Sequence, residues 1–164
     1  MRNLIELMES NITDDPNFRH WFAGSKIVDH NGNPLRVFHG TNKHFDDFEL
    51  GHEQQDNGIY FTPDTEYASG YATSFNNNFS GSHVKPCYLS IKNPYFCLTK
   101  PTDMQLKLGN RGAFTNEVIK YLKAQGYDGV VVGITSYEFE IKYHGIEKAQ
   151  EIGVFIPKQI RSAI

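Results

Sequence analysis

The stretch GIYFTPDTEYASGYA, residues 58–72, changes its hydrophobic habit halfway along. GIYFT at 58–62 is aromatic and β-branched, as a short buried strand is; Pro63-Asp64 breaks it, and the residues through Tyr71 read as a helix of about two turns. Toward the N-terminus, HNGNP at 30–34 is dense turn chemistry, and it leads into LRVFHG, a strand ending at glycine. Before it, Asp14, Asp15 and Pro16 restart the chain ahead of the aromatic pair Trp21 and Phe22. Residues 3–8 place Leu4, Ile5, Leu7 and Met8 on one helical face, which predicts a short helix packed on the body. Toward the C-terminus, CYLSIK alternates Cys87, Leu89 and Ile91 against Tyr88, Ser90 and Lys92, as a half-buried strand does. A capped helix is expected from Thr115 to Gln125, with Val118, Ile119 and Leu122 inward and Gly126 as its stop. GVVVG and IGVFI supply two further strands. Strands outnumber helices and do not alternate with them regularly, so the expectation is an α+β fold: two packed, mainly antiparallel β-sheets with flanking helices.

Composition narrows the function classes. A chain of 164 residues, 39% hydrophobic and 13% aromatic, has the material for one core. It is read as a single domain over 1–164, with 1–17 as an N-terminal helical extension. No apolar run is long enough to span a membrane, and two glutamates interrupt MRNLIELMES where a secretion signal is apolar. A cytoplasmic protein without membrane partners is expected. A net charge of −3 and a pI near 6.1 exert no global pull on nucleic acid, so a polyanion would need a local basic patch. Cys87 and Cys97 are too few for a disulfide framework and read as buried thiols, with one strand-linking disulfide as the alternative. Seven histidines form no HExxH pair, so no metal is expected. No GxGxxG follows a strand, which argues against a dinucleotide-binding hydride-transfer site.

Three stretches carry chemistry: VFHGT at 37–41, GIYFTPDTEYASGYA, and QEIGVFIP at 150–157. Each alone fits a structural role, a hydrogen-bonded histidine at a strand end or an aromatic core strand. Together and in this order they resemble the diphtheria-toxin-like and poly(ADP-ribose)-polymerase-like ADP-ribosyltransferases, defined by a histidine, tyrosine, glutamate triad on successive strands. His39, Tyr60 and Glu151 fall in that order. Tyr71 follows Tyr60 at the spacing of the family's second tyrosine, on the helix after the strand. FRHWFAGSKIVDHNGNPLRVFHGT at 18–41, GYDGVVV at 126–132 and VFIPKQIRS at 154–162 are similar to the ADP-ribosyltransferase domains of phage polyvalent proteins and bacterial toxins.

The resemblance implies NAD as a consumed substrate and assigns roles that physics supports. Two tyrosine rings, Tyr60 and Tyr71, would hold the cationic nicotinamide by stacking and cation-π attraction. Gly40 would let the backbone approach the carboxamide, His39 would hydrogen-bond a ribose hydroxyl, and Thr41 would support the turn. Loss of nicotinamide leaves an oxocarbenium-like ribose, which the Glu151 carboxylate would stabilise while holding the 2′-hydroxyl. Glu138 and Glu140 in YEFEI are rivals for that job, and a solvated charge at a strand entrance is the other reading of Glu151. Arginine-modifying relatives carry Glu or Gln two residues before the catalytic glutamate; Ala149 stands there, with Gln150 next to it.

A single transfer to a macromolecular acceptor, a protein side chain or a base of RNA or DNA, is therefore expected. The setting implied is a toxin, an anti-phage defence effector or a phage host-takeover enzyme, with an antitoxin or inhibitor protein as a further partner. A silent NAD- or ADP-ribose-binding module and an NAD glycohydrolase are the competing readings. His39, Tyr60, Tyr71 and Glu151 are expected to line one cleft between the two sheets, bordered by the polar loop FNNNFSGSH at 75–83.

Overall fold

The computed structural model describes residues 3–41, 58–74, 83–100 and 115–164. Its elements run α1 (Leu4–Thr13), α2 (Pro16–Phe22), β1 (Val37–Thr41), β2 (Ile59–Phe61), α3 (Thr65–Ser74), β3 (His83–Leu89), β4 (Pro94–Cys97), α4 (Asn116–Ala124), β5 (Gly129–Val132), β6 (Glu151–Val154) and β7 (Ile160–Ser162). A π-helical segment, Glu138–Tyr143, lies between β5 and β6, and a 3-10 turn, Pro157–Gln159, before β7. One sheet has the order β1-β3-β7 and the other β2-β6-β5-β4. Every pairing is antiparallel except β4 with β5, so the architecture is α+β as the sequence predicts.

Period-two alternation builds the core. Val37, Cys87 and Leu89 of the first sheet face Ile59, Phe61, Val131, Ile152 and Val154 of the second in one buried cluster. The intervening residues point outward and are covered by helices. On the first sheet, Tyr88 and Ala163 meet Phe18 and Phe22 of α2. On the second, Val130, Val132 and Phe155 meet Val118, Ile119 and Leu122 of α4. A nine-residue helix is marginal by itself. Burying those three α4 side chains contributes about 1.5–3 kcal/mol each, which makes tertiary packing the deciding term.

Local signals act where the sequence places them. Asp15 accepts from the backbone N–H groups of Asn17 and Phe18, with Pro16 at the first helical position. Thr115 caps α4, and Gly126 ends it at φ +91°, a conformation that favours glycine. The turn at 30–34 is tied by Asp29 Oδ1, which accepts from Asn31 and Asn33.

Two differences matter. The first helix is longer than predicted, and two of the four apolar residues read as its inner face, Leu4 and Leu7, are 72% and 47% exposed. Ile12 in its last turn joins the cluster around Phe18. Strands β4 and β7 were not read from the sequence; each is only three or four residues long and carries no alternation of its own. The thiols of Cys87 and Cys97 are free, and burial pushes both up to about 12, which keeps them protonated. The segment 75–82 lies outside the described residues.

Candidate active site

The two sheets meet at one edge, where Phe38 of β1 and Thr62 after β2 exchange backbone hydrogen bonds of 2.8 and 2.9 Å. There the imidazole of His39 reaches the carbonyl oxygen of Tyr60, with Nδ1 at 2.7 Å. A carbonyl only accepts, so Nδ1 carries the proton, and in the neutral ring Nε2 is an acceptor. The His39 ring also lies 5.3 Å from that of Phe61, centroid to centroid. Burial lowers its pKa from the ordinary 6.5; the hydrogen bond to Tyr60 opposes that shift, and nearby Lys85 reinforces it.

This shift has a definite sign in stability. The unfolded chain takes up the His39 proton near pH 6.5 and the folded chain only at lower pH, so unfolding binds a proton between those values. The His39 contribution is complete above pH 6.5 and declines as pH falls toward the folded value. Thermal melts from pH 8 to 5 should show a decline that is shallower in His39→Gln than in wild type. Parallel curves would show that His39 does not titrate differently on folding.

Tyr60 and Glu151 belong to neighbouring strands. Tyr60 pairs with Gly153, and Glu151 lies two residues before Gly153, so ring and carboxylate leave the same face. The tyrosine ring lies across the glycine: a Cβ at Gly153 would stand 2.6 Å from Tyr60 Cε1. Glu151 is buried at 5% exposure. Its Oε2 pairs with the Lys100 ammonium at 2.9 Å, and the same ammonium sits 4.8 Å from the centroid of the Tyr60 ring. One cation thus touches both the aromatic ring and the buried carboxylate.

Contacts link His39 to Tyr60 and, through Lys100, Tyr60 to Glu151. The location differs from the expected intersheet cleft. Ile59 and Phe61 occupy the intersheet core, so alternation turns Tyr60, and with it Glu151, onto the α4-covered face. Gly40 and Thr41 continue β1 opposite Val84 and His83. Tyr71 lies on α3, which packs against β1 and β3; the side chains of Tyr71 and Thr41 are outside the described residues.

The rival carboxylates stand elsewhere. Glu138 Oε2 accepts from the N–H of Thr135 at 2.8 Å while Thr135 Oγ1 accepts from Glu138 N–H at 3.1 Å, a reciprocal cap. Glu140 is exposed on the π-helical segment.

Lys100 was not singled out from sequence. A lysine before a proline has no local mark; topology brings it in, because β4 runs parallel to β5 with Cys97 opposite Val132, and Val132 is opposite Glu151. Residues just past Cys97 therefore emerge beside the glutamate. A groove of about 560 Å³ at the other end of this sheet, lined by His20, Trp21, Lys92, Tyr127 and Lys158 among others, contains none of these residues.

Among the described residues, no group of three or more His, Cys, Asp or Glu is placed to hold a metal ion. No helix of the described residues is long and apolar enough to cross a membrane. A family model described as ADP-Ribosyltransferase in polyvalent proteins matches residues 29–164. No curated protein gives a significant match to the chain. The match covers both sheets and every strand named above, and on it the chain belongs to the ADP-ribosyltransferases of polyvalent proteins, a family that uses NAD as substrate.

Proposed function

We propose that the protein cleaves NAD and transfers its ADP-ribose, as a single unit, to a macromolecular acceptor, with Glu151, His39 and Tyr60 as its catalytic triad. The observation that carries this reading is the cation held between the Tyr60 ring and the buried Glu151 carboxylate. A face-on aromatic ring beside a carboxylate suits a pyridinium joined to a ribose that becomes cationic. In the reaction the bond between ribose C1′ and the nicotinamide nitrogen breaks, and its electron pair leaves with neutral nicotinamide. The acceptor's nucleophile then attacks C1′. In this reading Glu151 opposes the positive charge building on the ribose, and Nε2 of His39, whose Nδ1 donates to the Tyr60 carbonyl, accepts from a ribose hydroxyl. Gly40, Thr41 and Tyr71 complete the NAD site in this reading. The setting is conflict between bacteria and phage, inside the cell.

Incubation of labelled NAD with the protein and cell extract, divided between protease and nuclease before detection, tests the reading. Label removed by one enzyme identifies the acceptor class. Free ADP-ribose without labelled macromolecule would make the protein a glycohydrolase, and intact NAD would leave a binding module.

A second expected result concerns the ring. Tyr60→Ala should weaken NAD binding by about 0.5–2 kcal/mol, whereas Tyr60→Phe keeps most of it, since stacking needs the ring and not the hydroxyl. Equal losses in calorimetric titration would show that the hydroxyl carries the contact.

A further inference from the structure

We infer that Lys100 sets the NAD affinity of this site by competing for it: its ammonium occupies the place of the nicotinamide cation and must leave before NAD can seat. The inference rests on the reading of Tyr60 and Glu151 as the nicotinamide-ribose site. Two observations and one physical argument carry it. The ammonium engages both elements of that site, at 2.9 Å from the carboxylate oxygen and 4.8 Å from the ring centroid. A second cation cannot share that space, for steric reasons and because like charges repel at such a distance. The Lys100 side chain is 34% exposed while that of Glu151 is 7% exposed, so the lysine is the partner that can withdraw into water.

The consequence follows from mass action. NAD binds only to molecules in which the ammonium has swung aside, so the apparent dissociation constant is the intrinsic one divided by the open fraction. If the paired arrangement leaves about one molecule in ten open, the lysine weakens NAD binding about tenfold. Lys100 then acts on ground-state binding. Once NAD is seated the ammonium is elsewhere, and the chemical step proceeds from the same complex with or without it.

Calorimetric titration with NAD, together with the rate of nicotinamide release in cell extract, tests this on wild type, Lys100→Gln, Lys100→Met and Lys100→Arg. The expected result is a Kd about tenfold lower in both uncharged variants, near wild type in the arginine variant, with KM falling in parallel and kcat changing little. A lysine needed only to keep the region folded would instead lower melting temperature without tightening NAD binding. Unchanged or weaker binding in folded Gln and Met variants overturns the inference, as does a loss of kcat at constant KM. Wild-type binding and turnover would survive either result and leave the transferase reading in place. Absence of NAD binding from all four proteins strikes that reading itself, and the inference with it.

Discussion

Glu151→Gln is expected to remain folded and to lose about 10²–10³-fold in kcat for nicotinamide release, a loss larger than any change in NAD affinity. The substitution is nearly isosteric and removes one charge. On the proposed assignment, that charge faces in bound NAD a ribose that is not yet cationic; as the glycosidic bond lengthens, positive charge grows beside it. The interaction is therefore stronger in the transition state than in the complex, and its loss belongs in kcat. Folding should tolerate the change. The carboxylate is buried at 5% exposure, so neutralising it removes a desolvation cost, and the Lys100 ammonium it leaves behind is one-third exposed and can rehydrate. Single-turnover nicotinamide release checks the rate and calorimetry the affinity. Near-normal release by Glu151→Gln would transfer the role to Glu138 or Glu140. Glu138→Ala should instead lower the melting temperature through its lost bonds to Thr135, with turnover intact.

The elements legible in the sequence are those whose signal is local. Thr115 and Gly126 bracket α4 because a hydroxyl cap and a left-handed glycine act within one turn of themselves. Val118, Ile119 and Leu122 disclose its buried face because helical period and burial coincide. β1, β2 and β6 were legible for a related reason: their apolar runs are bounded by Gly, Pro or turn residues. The three residues proposed as the triad come from resemblance and strand order, not from spacing, since nothing local joins His39 to Glu151. What stayed hidden depends on pairing. Whether Tyr60 faces the other sheet or α4 is a question of register, and a one-residue change of phase reverses the answer. Lys100 was invisible for the same reason: its closeness to Glu151 follows from a parallel β4–β5 pairing that a four-residue strand does not announce.

Register also makes a glycine decisive, and Gly153→Ala is expected to cost about 1–3 kcal/mol of stability and to weaken NAD binding together. Gly153 pairs with Tyr60 on β6, and an added Cβ would lie 2.6 Å from Tyr60 Cε1, 3.0 Å from Tyr60 Cδ1 and 2.8 Å from Val130 Cγ2. Real Cβ atoms do not approach carbon so closely, so something must shift. Val130 is completely buried against α4 and has no room to yield, whereas Tyr60 is partly exposed and can rotate away. The ring that moves is the one assigned to hold the nicotinamide, two residues along the neighbouring strand from the Glu151 carboxylate. Strain at Gly153 would thus be relieved at the expense of the substrate site. A double-mutant cycle separates this account from general strand damage. With Tyr60→Ala in the background the two contacts with the ring are gone and the one with Val130 remains, so Gly153→Ala should destabilise that protein by less than it destabilises wild type, and should have little further effect on NAD binding. Additive losses in melting temperature and affinity across the cycle would mean that the ring does not rest on the glycine in solution, and the geometry proposed for the nicotinamide site would have to be abandoned.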